Sequence, residues 1–99
     1  MSSSSRPSGK EPDRLSASFG CRLADLREAA GLSFAELGEA AGMGKGYLWR
    51  VETGAVLPSI RNAARIARAL DLTLAELMEG VDISDIGPQS RALGFRDKN

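Results

Sequence analysis

The sequence predicts an all-α fold: a compact bundle of five short helices with flexible N- and C-terminal tails. Apolar residues recur at three- and four-residue steps in five successive segments between residues 16 and 79, which is the spacing of one helix face. Glycines, or serines and threonines suited to cap a helix, separate these segments. No segment shows the alternation of apolar and polar residues that predicts a strand.

The composition limits the chain to one small domain. Its 99 residues include 42% apolar residues but only 5% aromatic ones, so we expect a core of Leu, Ala, Ile and Val. A core of this size gives a small net stability, and we expect a homodimer to add to it. No apolar run approaches the roughly 20 residues of a membrane span, and the serine-rich start lacks the apolar centre of a signal peptide. We therefore expect a cytoplasmic protein that does not contact a membrane.

The scarcity of reactive side chains argues against enzymatic and metal chemistry. The chain has no histidine and one cysteine, so we expect no metal site, no cofactor and no internal disulfide. We expect this cysteine, Cys21, to be a small buried or half-buried helix residue. Because no glycine-rich phosphate loop and no converging carboxylates are present either, we reject an enzyme.

The N-terminal residues 1–14 are predicted to be a disordered arm, because serine, glycine, proline and charged residues cannot bury enough surface to become ordered. Helix 1 is expected to begin at Ser16 or Ser18 and to end at Ala30, before Gly31. Its apolar stripe would face the core through Phe19, Leu23, Leu26 and Ala30.

Helices 2 and 3 are predicted on either side of a sharp turn at Gly42. Ser33 is suited to cap helix 2, since Glu36 follows at the spacing of a capping box, and helix 2 then extends to Ala41. Helix 3 would begin at Gly44 or Lys45 and end near residues 53–54. Its inward face comprises Met43, Tyr47, Leu48 and Val51, and its outward face comprises Lys45, Gly46, Trp49, Arg50 and Thr53.

Helix 4 is expected from Ile60 to Leu70, after Pro58 and a Ser59 cap. Its predicted buried residues are Ile60, Ala63, Ala64, Ile66, Ala67 and Leu70. A short helix 5, Leu74–Glu79, would follow a Thr73 cap and end before Gly80. Residues 82–99 form a C-terminal extension that either packs on helix 5, extends a dimer interface or frays; for residues 90–99 we expect fraying.

Two short helices joined by a glycine turn are the helix-turn-helix arrangement, in which the second helix lies in the DNA major groove. The segment GLSFAELGEAAGMGKGYLWRVETGAVLPS resembles the phage-repressor-like, xenobiotic-response-element type of helix-turn-helix family of bacterial transcriptional regulators. The resemblance continues through LADLREAAGL before this segment and IRNAARIARALDLTLAEL after it. It implies a five-helix DNA-binding domain over residues 15–81.

The resemblance implies that the outer face of helix 3 contacts base edges through Lys45, Gly46, Trp49 and Arg50. Arg50 and Lys45 can donate hydrogen bonds to guanine O6 and N7. Trp49 has three open alternatives: packing on thymine methyls and sugar, contacting a protein, or folding back onto helix 1 or helix 2.

Contacts to DNA phosphates are expected next to the base contacts. The start of helix 4 offers backbone N–H groups suited to a phosphate. The residues that we predict to contact phosphate are Ser33, Tyr47, Ser59, Arg61 and Asn62. Phe34 departs from the family, where many members have a glutamine that binds a phosphate at this position, and we expect it to enlarge the core between helices 2 and 3.

Two further sets of residues have structural roles. The resemblance implies an internal ion pair between Arg27 and Glu52 that joins helix 1 to the end of helix 3. We expect a dimer contact around helix 5, formed by Leu74, Leu77, Met78, Val81 and Ile83.

Two functional hypotheses follow. The first is a sequence-specific transcriptional regulator that binds double-stranded DNA as a homodimer, at a pseudo-palindromic operator, through helix 3. The second is an antitoxin-like or partner-binding protein-interaction module that uses the Trp49 surface for a protein. The formal net charge of zero favours the second hypothesis. The charge distribution favours the first: residues 44–68 contain five basic residues and one acidic residue, whereas residues 71–82 contain four acidic residues and no basic one.

Overall fold

The computed structural model describes residues 13–87, and within this range the chain forms five α-helices and no strand. The helices are α1 (Arg14–Ala29), α2 (Phe34–Ala41), α3 (Lys45–Glu52), α4 (Ile60–Ala69) and α5 (Leu74–Met78). The all-α prediction is confirmed. The predictions for residues 1–12 and for the fraying of residues 90–99 lie outside the described residues. No helix in the described part is long and apolar enough to cross a membrane.

Local capping explains where the helices begin. Ser33 and Thr73 form capping boxes with Glu36 and Glu76, and the Ser59 hydroxyl accepts a hydrogen bond from the backbone N–H of Asn62. The predicted starts of α2, α4 and α5 therefore agree with the structure, and α3 begins at Lys45, also as predicted, without a side-chain cap. The predicted start of α1 is wrong: the Asp13 carboxylate accepts a hydrogen bond from the Ser16 N–H, so that α1 already begins at Arg14, a residue assigned above to the arm.

One apolar core lies between the helices. α1 packs against α3 and α5, α2 packs against α3 and α4, and α4 packs against α5. Five of the seven largest fully buried side chains were predicted above to face inward, and the other two are Leu37 and Leu77. The seven are Phe19, Leu23, Leu37, Leu48, Val51, Ile66 and Leu77.

Several residues at the edges of the predicted stripes are exposed. Ile60 is 73% exposed because it is the first residue of α4, and Ala30 is exposed because it is the cap that follows α1. Ala64 and Cys21 are also exposed, on the outer faces of α4 and α1. The predicted burial of these four residues is therefore wrong. Helical periodicity identifies the buried face, but the lengths of the neighbouring helices decide how much of it they cover.

Two glycines allow backbones to approach each other closely. A Cβ atom at Gly20 would lie 2.7 Å from the Val51 carbonyl oxygen and closer still to that of Glu52, so α1 crosses the end of α3 without room for a methyl group. A Cβ atom at Gly38 would lie 2.5 Å from the Met43 carbonyl oxygen, next to the turn at Gly42. Gly42 itself has a φ of 75°, the left-handed conformation that favours glycine.

The segment after α5 returns to the start of α1. The backbone N–H of Asp82 donates to the Ser18 hydroxyl at 2.8 Å, and the backbone N–H of Arg14 donates to the Asp85 carboxylate at 3.2 Å. The Arg14 guanidinium lies 3.7 Å from the Asp82 carboxylate. Residues 82–85 thus contact the start of α1, a contact that was not among the alternatives left open for the C-terminal extension.

Candidate nucleic-acid interface

The outer face of α3 is a continuous exposed surface, as the helical spacing predicts. Leu48 and Val51 are fully buried, which fixes the opposite face of this two-turn helix outward. The exposed positions are the four predicted base-contacting residues, Lys45, Gly46, Trp49 and Arg50. We call these four residues the α3 surface.

Trp49 projects from the α3 surface into solvent. Its side chain is 55% exposed, although an indole is among the most favourable groups to bury. This exposure is incompatible with the alternative in which Trp49 folds back onto helix 1 or helix 2. A contact with DNA and a contact with a protein remain as the two explanations.

The cations of the α3 surface have no acidic partner among residues 13–87. Four ion pairs occur in this part of the chain, and neither Lys45 nor Arg50 belongs to one. The Arg50 guanidinium lies 6.0 Å from the centre of the Tyr47 ring, at the limit of a cation–π contact. Both charges are therefore available to an anionic ligand.

The start of α4 is joined to α3 by a hydrogen bond between side chains. The Asn62 amide donates to the Tyr47 hydroxyl at 3.3 Å, while the Ser59 hydroxyl caps α4 through the Asn62 backbone N–H. Tyr47, Ser59 and Asn62, three of the predicted phosphate-contacting residues, are thus brought together. Arg61 is exposed in the first turn of α4, and Ser33 is exposed at the start of α2.

A largely buried ion pair joins the end of α3 to α1. The Arg27 Nε and Nη2 atoms donate to the two carboxylate oxygens of Glu52 at 2.6 and 3.1 Å, and Arg27 Nη1 donates to the Leu32 carbonyl oxygen at 2.8 Å. The two side chains are only 13% and 7% exposed. The hydrogen bond to Glu52 raises the pKa of Arg27 above its ordinary value.

Phe34 contacts the Arg27 side chain of this ion pair. Its half-buried ring lies under the Arg27 guanidinium, 4.1 Å from the ring centre to the Arg27 carbon. As expected, Phe34 packs against the apolar core. Its ring also forms a cation–π contact with α1, which the sequence did not predict. The Phe34 ring therefore stabilises the Arg27 guanidinium, which forms the ion pair with Glu52 at the end of α3.

The predicted dimer residues separate into buried and exposed ones. Leu77 is fully buried, so its assignment to a dimer contact is wrong: its side chain belongs to the core of the monomer. Leu74 and Val81 are half-buried and pack against that core, whereas Met78 and Ile83 are exposed.

Sequence reasoning missed one contact that positions α5. Arg22 Nη2 donates to the Glu76 carbonyl oxygen at 2.6 Å, and Arg22 Nε donates to the Leu77 carbonyl oxygen at 3.3 Å. These carbonyl groups lie at the end of α5, where a helix lacks donors of its own. A distance of more than 50 residues along the chain separates the partners, and no local pattern indicates the contact.

Comparison with known proteins assigns the domain. The family model of the helix-turn-helix domain matches residues 18–79. The chain is 34% identical over 77 residues to the ImmF control region 10 kDa protein of Bacillus phage phi105, and the match covers 77% of this chain and 86% of that protein.

Two further similarities concern a longer protein and a solved structure. The chain is 36% identical over 67 residues to MJ1164 of Methanocaldococcus jannaschii, whose name places it with HTH-type transcriptional regulatory proteins. The match covers 65% of this chain but spans only 21% of that protein. The restriction-modification controller protein C.AhdI from Aeromonas hydrophila superimposes with a TM-score of 0.60 at 39% identity, over 62% of this chain and 92% of C.AhdI.

The α3 surface, the glycine turn before it and these similarities agree with the resemblance inferred from the sequence. They also support the prediction that the chain is not an enzyme, since the relatives are regulators. The chain belongs to the helix-turn-helix family of DNA-binding transcriptional regulators.

Proposed function

We propose that the protein is a sequence-specific transcriptional regulator that binds a pseudo-palindromic operator as a homodimer, with the α3 surface of each subunit in the major groove. The observation on which this proposal rests is the exposed α3 surface, in which Lys45 and Arg50 flank Trp49 and form no ion pair with residues 13–87. A cationic helix face of two turns fits the major groove, and its donors match guanine O6 and N7.

The start of α4 supplies the contacts that orient the helix on the duplex. The Ser59 hydroxyl, the Arg61 guanidinium and the free backbone N–H groups of the first turn are suited to one phosphate, and Ser33 is suited to a second at the start of α2. The hydrogen bond between Asn62 and Tyr47 links the start of α4 to α3, so that a phosphate bound at α4 would help to position α3 on the duplex.

The names of two relatives support a role in gene control. One is a protein of a phage control region, and the other is a controller protein of a restriction-modification system. Such a regulator acts on DNA in the bacterial cytoplasm, and this is where we place the protein.

The proposed dimer surface lies around α5. Met78 and Ile83 are exposed large apolar residues there, and Ile86, which sequence analysis did not assign to the interface, is exposed as well. Leu74 and Val81 would contribute the half-buried edge of the interface. We propose that these side chains together form one apolar patch, which is typical of a surface that another chain covers.

Selection of bound sequences from random duplex DNA, at a stated salt concentration, tests the proposal. We expect enrichment of two inverted half-sites whose centres lie about 10 base pairs apart, together with a dimer in sedimentation analysis. Failure to enrich any sequence at low salt would contradict DNA recognition. Enrichment of an isolated half-site by a monomer would contradict the dimer alone.

The exposure of Trp49 favours a second candidate, a module that binds a protein partner through the α3 surface. The zero net charge of the chain also favours it. Substitution of Arg50 by alanine separates the two functions. A regulator loses affinity for its operator, whereas a protein-binding module keeps its behaviour towards DNA and loses its partner.

A further inference from the structure

Trp49 has few favourable partners within a major groove. The base edges in this groove present hydrogen-bond donors and acceptors, and the apolar group among them is the 5-methyl group of thymine. An indole has one N–H donor and otherwise offers apolar ring atoms. An exposed tryptophan on a helix that enters the groove therefore gains most from a contact with a methyl group.

The neighbour of Trp49 on the same face leaves room for such a group. A helical side chain leans towards the start of its helix and covers the preceding turn, so the indole extends towards Gly46, three residues earlier. Gly46 has no side chain, and a Cβ atom placed there would have no heavy atom within 4 Å. The backbone at Gly46 therefore faces open space on the same helix face as Trp49. A methyl group that approached this backbone would lie beside the indole.

The surrounding charges favour a nucleic acid over an apolar protein surface as the occupant. Lys45 precedes Gly46, Arg50 follows Trp49, and neither cation is paired among residues 13–87. Burying both charges against an apolar partner would carry a large desolvation penalty, whereas in a duplex they face phosphates and guanine acceptors.

We propose that Trp49 and Gly46 form a binding site for the 5-methyl group of one thymine in each half-site, so that the protein distinguishes thymine from uracil at that position. This proposal rests on the proposed function, because it requires α3 to lie in the major groove. It adds a specificity that the two cations cannot supply, since lysine and arginine donors select guanine.

Uracil substitution tests the proposal directly, because uracil pairs like thymine and lacks only the methyl group. In the selected operator, each thymine of a half-site is replaced in turn by uracil, and the affinity of the full chain is measured. We expect one position at which binding becomes about fourfold weaker, the factor that corresponds to about 0.8 kcal/mol for one buried methyl group.

Two variants assign this effect to the site. With Trp49→Ala, uracil at the sensitive position should cause no further loss of affinity. Gly46→Ala should also remove the discrimination, because its methyl group fills the proposed space. Alanine has the higher helix propensity and meets no heavy atom there, so this variant should fold at least as well as the natural chain, which circular dichroism would check.

The outcomes separate this proposal from the proposed function. Tight, sequence-specific binding that ignores uracil at every position would overturn the thymine site alone. A uracil penalty that persists in Trp49→Ala would show that another side chain contacts the methyl group, and it would also overturn the proposal. A protein that binds no duplex would overturn both.

Discussion

The end of α3 and the end of α5 are each joined to α1 by an arginine of α1, and the two contacts differ in kind. The two arginines are Arg27 and Arg22. At the end of α3, Arg27 is only 13% exposed, is paired with the Glu52 carboxylate and is stacked on Phe34. At the α5 end, Arg22 donates to backbone carbonyl groups and is 3.9 Å from the exposed Glu79 carboxylate. One arginine of α1 is therefore part of a largely buried ion pair, whereas the other is a partly exposed cap at the end of α5.

From this difference we expect burial to decide how much the stability of each region depends on its arginine. A charge that loses its buried partner cannot regain water, whereas an exposed charge is hydrated again at little cost. We therefore expect the position of α3 to be held rigidly and the α5 end to tolerate substitution. A fixed α3 keeps the donors of Lys45 and Arg50 in one arrangement, which base recognition requires.

The largest effect is expected from Glu52→Ala, which removes the carboxylate that forms two hydrogen bonds with the largely buried Arg27 guanidinium and leaves only the exposed Glu28 carboxylate nearby. The free energy of unfolding should fall by about 3–5 kcal/mol, as measured by urea denaturation. Glu28→Ala is the matched control, because Glu28 is the second carboxylate near Arg27 but is exposed. Equal effects of the two substitutions would contradict the dependence on burial.

The next largest effect is expected from Gly20→Ala, which tests the close crossing of α1 over the end of α3. The new methyl group would overlap the carbonyl oxygens of Val51 and Glu52, and forcing the helices apart should lower the free energy of unfolding by about 1–3 kcal/mol. Gly46→Ala, in open space on α3, should instead be neutral or stabilising. A stable Gly20→Ala protein with unchanged DNA affinity would show that the crossing is not tightly packed.

A smaller effect is expected at the α5 end from Arg22→Ala. Two hydrogen bonds to α5 carbonyl groups are lost, but water can replace them at this partly exposed site, so we expect a loss of about 1 kcal/mol. Arg68→Ala, at an exposed position of α4 with no ion pair among residues 13–87, serves as the control. A loss as large as that of Glu52→Ala would remove the distinction between the two regions.

The smallest effect concerns Asp82, where the returning segment meets α1. Hydrogen bonds from Ser84, followed by the nearby Arg14 guanidinium, lower the pKa of Asp82 below its ordinary value. The folded state thus favours the ionised carboxylate. Its contribution is present at neutral pH and is lost as the pH falls below about 4.

Asp82→Asn should therefore lose less stability than the natural chain when thermal unfolding is followed from about pH 6 to about pH 3. Asp25→Asn, an exposed carboxylate of α1 outside this contact, is the control. A natural chain and an Asp82→Asn variant with parallel pH profiles would show that the carboxylate contributes nothing to folding.

The elements that could be predicted from the sequence depend on local chemistry. Ser33, Ser59 and Thr73 each accept a hydrogen bond from a backbone N–H three residues later, and these short-range contacts fix the starts of three helices. The outward direction of the α3 surface follows in the same way from the spacing of Leu48 and Val51. A two-turn helix with one buried face leaves no other direction for Trp49.

The features that could not be predicted depend on contacts between distant parts of the chain. Whether Ile60 is covered depends on where neighbouring helices end, and the cap that Arg22 forms depends on the path of the chain over more than 50 residues. The pairing of Arg27 with Glu52 came from the family resemblance and could not have been obtained from spacing. The sequence shows that Phe34 replaces the glutamine that many family members have at this position. It did not predict the contact of Phe34 with Arg27.

The most direct test of the account is the affinity of Arg50→Ala and Arg68→Ala for the selected operator, measured beside an unrelated duplex at the same salt concentration. Both substitutions remove one exposed arginine, so they change the net charge equally. Removal of a base contact should weaken operator binding by at least about tenfold for Arg50→Ala, with little change for Arg68→Ala and a similar, small change for both on the unrelated duplex. Equal losses for the two variants on the operator would contradict recognition through the α3 surface.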